Sequence, residues 1–536
     1  MVDPRSGVRG ISRGRNRSRI AYHVLRVGMA VIGLAGAASA DPSAPDEAAA
    51  RRARVESTIR FLADDLLEGR GTPGRGLDIA AVYLAAELQA AGLTPANGDS
   101  YFQSYQVKEF LPGAAHYEIT LAGKRLEPAE FILVPFGLDP AQPLRADLVF
   151  AGHGVVAPER KVNDLAGVDV RDRAVVALLG APWPLDPQAA FGYDRAVGKS
   201  IETFIRNGKL LVYVTSELDP PDTTSTEVVL MEEGKNVPAA MLADFRGGSS
   251  MGLGSTLAIT PAAFDRTLGP VVGNTYAELQ VLAAKGKLKA RPIPAQVELK
   301  VVAEVKTAEA RNVVGMIRGS DPTLREEWVV MTAHYDHLGQ KEVPAGEDGI
   351  WNGADDNASG TAAILEIARA IARGPAPRRS LLVLFMSGEE RGLLGSAHYS
   401  QHPLVPYDRV VLDLNVDMVG RSTGKVQGIA PTCAPLFEET VAIGKEHGIA
   451  VDPDQQLSWR VAYLTDSYHF TRFDVPAIEF FTGMHADYHQ PSDSVEKIRY
   501  AELGRILAVM EGLTRRYVDG APKPKVTRPA WFLTPD

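Results

Sequence analysis

Residues 329–360, VVMTAHYDHLGQKEVPAGEDGIWNGADDNASG, constrain this chain more than any other stretch. The run opens with Val329-Val330-Met331, apolar enough for a buried strand, then breaks into His334, Asp336 and His337. A glycine-rich loop leads to Asp355-Asp356-Asn357. The spacing of Ala362, Leu365, Ile367, Ala368 and Ile371 then predicts a helix over 358–372. A strand ending in imidazole and carboxylate, followed by carboxylates at a helix start, is half of a metal site. The other half has to come from elsewhere in the chain.

Cys433 is the only cysteine, so an internal disulfide is impossible and a thiolate-rich zinc site is ruled out. Any metal must be held by His, Asp and Glu. The chain has 536 residues, 45% hydrophobic and 23% charged, which suggests two to four soluble globular domains. Residues 1–40 differ from the rest. Seven arginines accompany a moderately apolar run, 27–37, that ends in Ala38-Ser39-Ala40, the pattern of a secretory signal peptide cleaved after Ala40. No arginine pair and no cysteine at the cleavage point are present, so neither a twin-arginine route nor a lipid anchor is indicated. Cleavage would remove seven arginines and Asp3, taking the formal charge from −9 to −15. Such an acidic mature chain argues against nucleic acid or anionic membrane as partner. No later apolar run is long enough to span a membrane. The expected destination is the periplasm or the outside of a bacterial cell.

Further along, helices are expected at 48–66 and 78–92, and a strand-rich segment starts with 101–107. From 139 to 294 short β-like runs (148–151, 174–179, 210–214) alternate with Gly, Pro and Asp, and no clustered ligand pattern appears. This reads as a separate, noncatalytic insert. From 295 to 520 strands alternate with helices: strands at 328–332, 380–386, 410–416 and 477–481, helices at 358–372, 436–447 and 501–517. That alternation predicts an α/β domain with a mostly parallel central sheet flanked by helices. Residues 41–138 are expected to belong to the same domain, and 521–536 to form a tail.

In open α/β sheets ligands bind outside the carboxyl ends of the strands. Four strands here deliver imidazole or carboxylate at that edge: His334 and Asp336, then Glu389-Glu390, then Asp417, then Asp487-Tyr488-His489. Asp356 arrives at the start of the first crossover helix. Asp336, two residues past His334, is a natural acceptor for that imidazole and would fix its tautomer. Glu389-Glu390 alone would be an ordinary acidic helix start. The joint arrangement is what carries the reading.

The motifs AHYDH, NGADDNASG, SGEERGLLGS, NVDMVGR and DYHQPSD resemble the M28 family of zinc aminopeptidases, which includes secreted bacterial leucyl aminopeptidases. FLADDLLEGRGTPG and GLTPANGDSYFQ are similar to the start of its bacterial members. VFAGHGVVAPERKVNDLAGVDVRDRAVVALL resembles the protease-associated insert that many of them carry. The resemblance implies that His334, Asp356, Glu390, Asp417 and His489 ligate two Zn2+ ions. Asp356 would bridge them, His334 and Asp417 would complete one, and Glu390 and His489 the other. Imidazole and carboxylate suit zinc, and a bridging carboxylate lets two ions act on one water. Glu389 is expected to be the general base, because its carboxylate is free while Glu390 ligates. Tyr488 sits where the family often places a hydroxyl that stabilises the tetrahedral oxyanion. His337 falls outside that ligand set and is read as structural. TDSYHF resembles the family's SDHxxF loop and makes Asp466 and His469 pocket candidates, but Ser467 stands where the family has His.

The function this implies is an exported di-zinc aminopeptidase acting on peptides. Within the same fold a glutamate-carboxypeptidase-like activity would need a basic pocket, with Arg391, Arg421 and Arg460 as the residues to supply it. A glutaminyl cyclase works with one zinc, against which the five ligands argue. A noncatalytic receptor-like ectodomain typically loses ligands or the base, and this chain keeps them.

Overall fold

The computed structural model describes residues 44–110, 116–134, 138, 142–157, 160–181, 199, 202–215, 240–242, 255–302, 305–452, 462–529 and 532. The leader at 1–40, Arg460 and parts of the 139–294 segment and of the tail lie outside the described residues. The described residues from Ala49 on form one compact unit that holds both large sheets.

Helices α1 (Ala44–Leu62) and α2 (Arg75–Ala90) precede strand β1 (Phe102–Phe110). After β2 (Val305–Ile317) and β3 (Trp328–His334) come α3 (Gly360–Arg373), β4 (Ser380–Met386) and α4 (Leu394–Gln401). Then follow β5 (Val410–Val416), β6 (Lys425–Ile429), α5 (Ala434–Glu446), β7 (Ala477–Phe481) and α6 (Tyr500–Val518). The helix expected over 48–66 stops at Leu62. Asp64 there accepts the Leu66 N–H at 2.9 Å and starts a separate short turn, Asp65–Arg70.

β3, β4, β5 and β7 are buried along their whole lengths, as continuous apolar runs require when both faces of a sheet are covered. They lie in the order β4-β3-β5-β7, all parallel, so their carboxyl ends share one edge. The flanks are antiparallel: β2 on β4, β1 on β2, and β6 on β7. The α/β architecture expected from the alternation is thus present, with its parallel part at the centre. One face packs Val329, Met331, Val383 and Leu414 against α1, α2, α3 and α6 through Ile59, Leu84, Ile364 and Leu507. The opposite face packs Val330, Leu382, Leu384 and Val410 under Tyr399 and Phe470.

A second sheet holds strands Lys124–Arg125, His116–Leu121, Arg291–Val302, Leu144–Phe150, Ala174–Leu178, Leu210–Val214, Ser255–Ile259 and Phe131–Val134, in that order. It has its own core, including Leu148, Val176, Val212 and Leu257. Its first and last long strands are antiparallel neighbours, with His116 opposite Val302. In the first sheet Phe110 lies opposite Val305. The strand Ala240–Leu242, from between these points, pairs with β1.

Arg70 joins the N-terminal helices to the loops beyond β3. It is fully buried, with a left-handed backbone (φ 53°), and its guanidinium donates to backbone oxygens of Tyr335 at 2.8 Å, Asn352 at 2.7 Å, Gly353 at 2.9 Å and Leu62. Burial lowers its pKa to about 10 even though Asp336 and Asp356 oppose that. Arg70→Met keeps the volume and leaves these buried acceptors unpaired, at about 1–3 kcal/mol each. Denaturant unfolding is expected to register a loss of at least about 4 kcal/mol. A loss under about 1 kcal/mol would show that these carbonyls find other donors.

Candidate metal centre

Parallel pairing brings the ends of β3, β4, β5 and β7 together, and the polar residues there are buried. His334 is the last residue of β3, and its Nδ1 lies 3.3 Å from the Asp336 backbone oxygen but 3.7 Å from the Asp336 carboxylate. That carboxylate has other work. It accepts Thr72 Oγ1 at 3.0 Å and the Glu389 N–H at 3.2 Å, so it positions the residue after Gly388 as well as the strand end.

Asp356 stands in a turn, Ala354–Ser359, at the start of α3, with a cis peptide to Asn357. Asp493 Oδ2 accepts the N–H groups of Asp355 and Asp356 at 2.9 and 3.0 Å. Asn357 ties this turn to the end of β5, donating to Val416 O at 2.8 Å and accepting the Met418 N–H at 3.3 Å. Asp355 accepts the Gly420 N–H at 2.6 Å and lies 3.1 Å from His485 Nε2. Gly353 has φ 57°, and a Cβ there would overlap Asp356 O and the His337 ring. Only glycine fits.

The two oxygens of Asp356 face two different groups. Oδ1 lies 3.3 Å from His334 Nε2, which is also 3.3 Å from Asp417 Oδ1. Oδ2 lies 3.2 Å from His489 Nε2, which is also 3.2 Å from Glu390 Oε2. One oxygen each from Asp356 and Glu390 and a nitrogen of His334 come within 4.8 Å of one another. All five residues expected as ligands are therefore together. His337 is with them. Its Nδ1 lies 2.8 Å from Glu390 Oε1 and 3.7 Å from Asp356 Oδ2, and its ring is 5.7 Å from that of His489. His337 therefore lies outside the expected ligand set but packs against it, touching Glu390, and its spacing of three from His334 is a usable signal for that place. Arg70, Thr72 and Asp493 also support the site, and nothing local in the sequence points to them.

Glu389 is buried beside this cluster. Burial, then the charges of Glu390, Asp466 and Asp417, hold its carboxyl well above the usual range, against the opposing effect of His334. Asp356 goes the other way. Burial would raise it, but His337, His334 and His489 outweigh that and hold it well below normal. For His489 burial is outweighed by Glu390 and Asp356, and its pKa rises to about 10. Tyr488 is half-buried with its ring stacked on His489, centroids 3.7 Å apart. Arg421 donates to Asp487 Oδ2 at 2.9 Å. Asp466 and His469 are buried, and Asp466 acts electrostatically on Glu389.

The residues fit a metal. His489 Nε2 is buried 3.2 Å from two carboxylates yet makes no hydrogen bond, and His337 Nε2 is buried without one too. Nitrogen and carboxylate oxygen are the donors zinc takes, and a divalent charge offsets the acids gathered here.

A buried imidazole and carboxylate cluster at the carboxyl edge of a parallel sheet is the arrangement of a metallohydrolase centre. Residues 312–514 match the model of "Peptidase family M28". A probable zinc metalloprotease of Leptosphaeria maculans is 38% identical over 113 residues, covering 21% of this chain and 25% of that protein. Aminopeptidase YwaD of Bacillus subtilis is 27% identical over 231 residues, covering 41% of this chain and 47% of that protein. The chain thus spans less than half the length of each of these relatives. Among solved structures, an aminopeptidase from Aneurinibacillus sp. strain AM-1 superposes with a TM-score of 0.48 at 17% identity, covering 90% of this chain and 96% of that one.

Partners that orient metal ligands are worth about 10–100-fold in affinity. His337→Gln is expected to weaken zinc binding by that factor, read by competition with a chromophoric chelator. Unchanged affinity would reduce His337 to packing.

Proposed function

We propose that this protein is an exported di-zinc aminopeptidase that removes N-terminal residues from peptides, with a protease-associated insert beside its catalytic domain. The observation that carries the reading is the division of Asp356, one oxygen toward His334 and Asp417, the other toward His489 and Glu390. That division supports two ions sharing one carboxylate. The arginine-rich, apolar leader at 1–40 supports export.

When bound, the zinc pair supplies Lewis-acid polarisation of the scissile carbonyl and acidifies a shared water. The chain's own residues do the rest. Asp356 fixes the spacing of the two donor groups, and Asp493 and Asn357 hold its turn in place. Glu389, anchored through its N–H by Asp336 and outside both donor groups, takes the proton and delivers it to the leaving amine. Tyr488 extends from the same segment as His489 and offers a hydroxyl to the developing oxyanion.

Glu389→Gln is expected to lower kcat by about 10²–10⁴-fold while zinc content stays at wild type. Hydrolysis at near-normal rate in that variant would remove Glu389 from the role of base. Incubating the protein with a peptide mixture in free and N-acetylated forms, with and without chelator, separates exopeptidase classes by product mass. Free peptides should lose N-terminal residues one at a time, and chelator should stop it. N-terminal trimming of acetylated peptides, or loss of C-terminal residues instead, would overturn the aminopeptidase reading.

A further inference from the structure

Beneath the parallel strands, on the face covered by α4 and the 462–471 segment, lies a second group of buried acids that the proposed reaction does not use. Asp413 and Asn415 are on β5, and Glu479 is on β7 with its Cα directly opposite that of Asn415. Thr332 on β3 completes the row, and Thr465 and Asp466 cap it. Asp413, Glu479 and Asp466 are 0%, 1% and 2% exposed.

Their hydrogen bonds leave buried oxygens without a partner. Thr332 Oγ1 has one proton and lies 2.8 Å from Asn415 Oδ1 and 3.2 Å from Asp413 Oδ1. Thr465 Oγ1 donates to Glu479 Oε2 at 2.7 Å. Asp413 Oδ2 and Asp466 Oδ1 are buried with no hydrogen-bond partner. Among the described residues none of the three acids forms an ion pair with Lys, Arg or His. His334, whose charge reaches Asp466, is taken up by Asp356 and Asp417. Burial holds the carboxyls of Asp413 and Glu479 well above the usual range, with Asp466 adding its charge to both. Buried carboxylates without a counter-charge are costly, and proteins either keep them protonated or compensate them with a paired base or a metal ion.

The donors here are oxygens alone: carboxylate, amide and hydroxyl. That set selects hard cations over zinc. The three acids do not converge within 4.8 Å as the catalytic group does, so neutral oxygens must complete the sphere. We propose that Asp413, Asn415 and Glu479 hold one hard cation, Ca2+ or an alkali ion, in a site separate from the zinc centre. This site is independent of the peptidase reading, because it uses other side chains and other chemistry.

The test uses the full chain, zinc-loaded, in a buffer free of alkali and alkaline-earth ions. Thermal unfolding is followed against added CaCl2, MgCl2, KCl and NaCl, with choline chloride as the ionic-strength control. One of these ions is expected to raise Tm with saturation, as a ligand of the folded state must, and elemental analysis should then find about one equivalent per chain beyond zinc. The saturating ion identifies which hard cation is bound. Asp413→Asn and Glu479→Gln should weaken that response at least about tenfold with zinc content unchanged. If no ion outdoes choline and no equivalent is found in wild type, the acids are protonated and the site does not exist. An ion-specific response that survives in both variants places the cation elsewhere and overturns the assignment equally. Should either variant fail to fold, the wild-type titration and elemental count still decide.

Discussion

The Asp356 carboxylate, split between two imidazole and carboxylate groups, is the constraint that the rest of the catalytic domain serves. Its oxygens can face both groups only if β3, β4, β5 and β7 end at one level, which their shared parallel register arranges. They can stay there only if the turn before α3 is fixed, and Asp493, Asn357 and Arg70 fix it from three directions. The cluster of like charges that results is unfavourable to fold without compensation. A metal ion is the compensation that the donor atoms fit.

The parallel core was legible because its strands are short apolar runs bounded by turn residues, and three of them (380–386, 410–416, 477–481) begin and end as the pattern suggests. Four of the five donor residues stand out as candidates because they come at or after strand ends, which share an edge in an α/β sheet, while the ligand set itself is what the resemblance implies. The place of His337 beside Glu390 is less legible. It follows the same strand as His334, and only the path of the loop decides that its ring returns to Glu390. Asp336 is expected to face His334 with its carboxylate, but its backbone oxygen lies nearer that ring and the carboxylate holds the Glu389 N–H. Arg70 could not be found from sequence. Nothing in LEGRGTPG says that its guanidinium collects carbonyls from residues hundreds of positions away.

The buried acids under β5 and β7 show the limit from another side. Asp413 and Glu479 interrupt apolar strands, and in sequence such interruptions look like exposed positions on an edge. Both strands have neighbours on each side and both acids are inside. An acid in a central strand marks a place where something other than the hydrophobic effect was retained.

The pairing of Phe110 with Val305 has a consequence for how the chain reaches this structure. Joining β1 to β2 closes a separation of about 195 residues, an entropic cost that slows a sheet relying on distant contacts. The second sheet changes that. Its own first and last long strands in chain order already hold His116 against Val302, so once it has formed the ends of β1 and β2 are delivered side by side. In kinetic terms it acts as a very large turn, converting the longest closure in the first sheet into a local one.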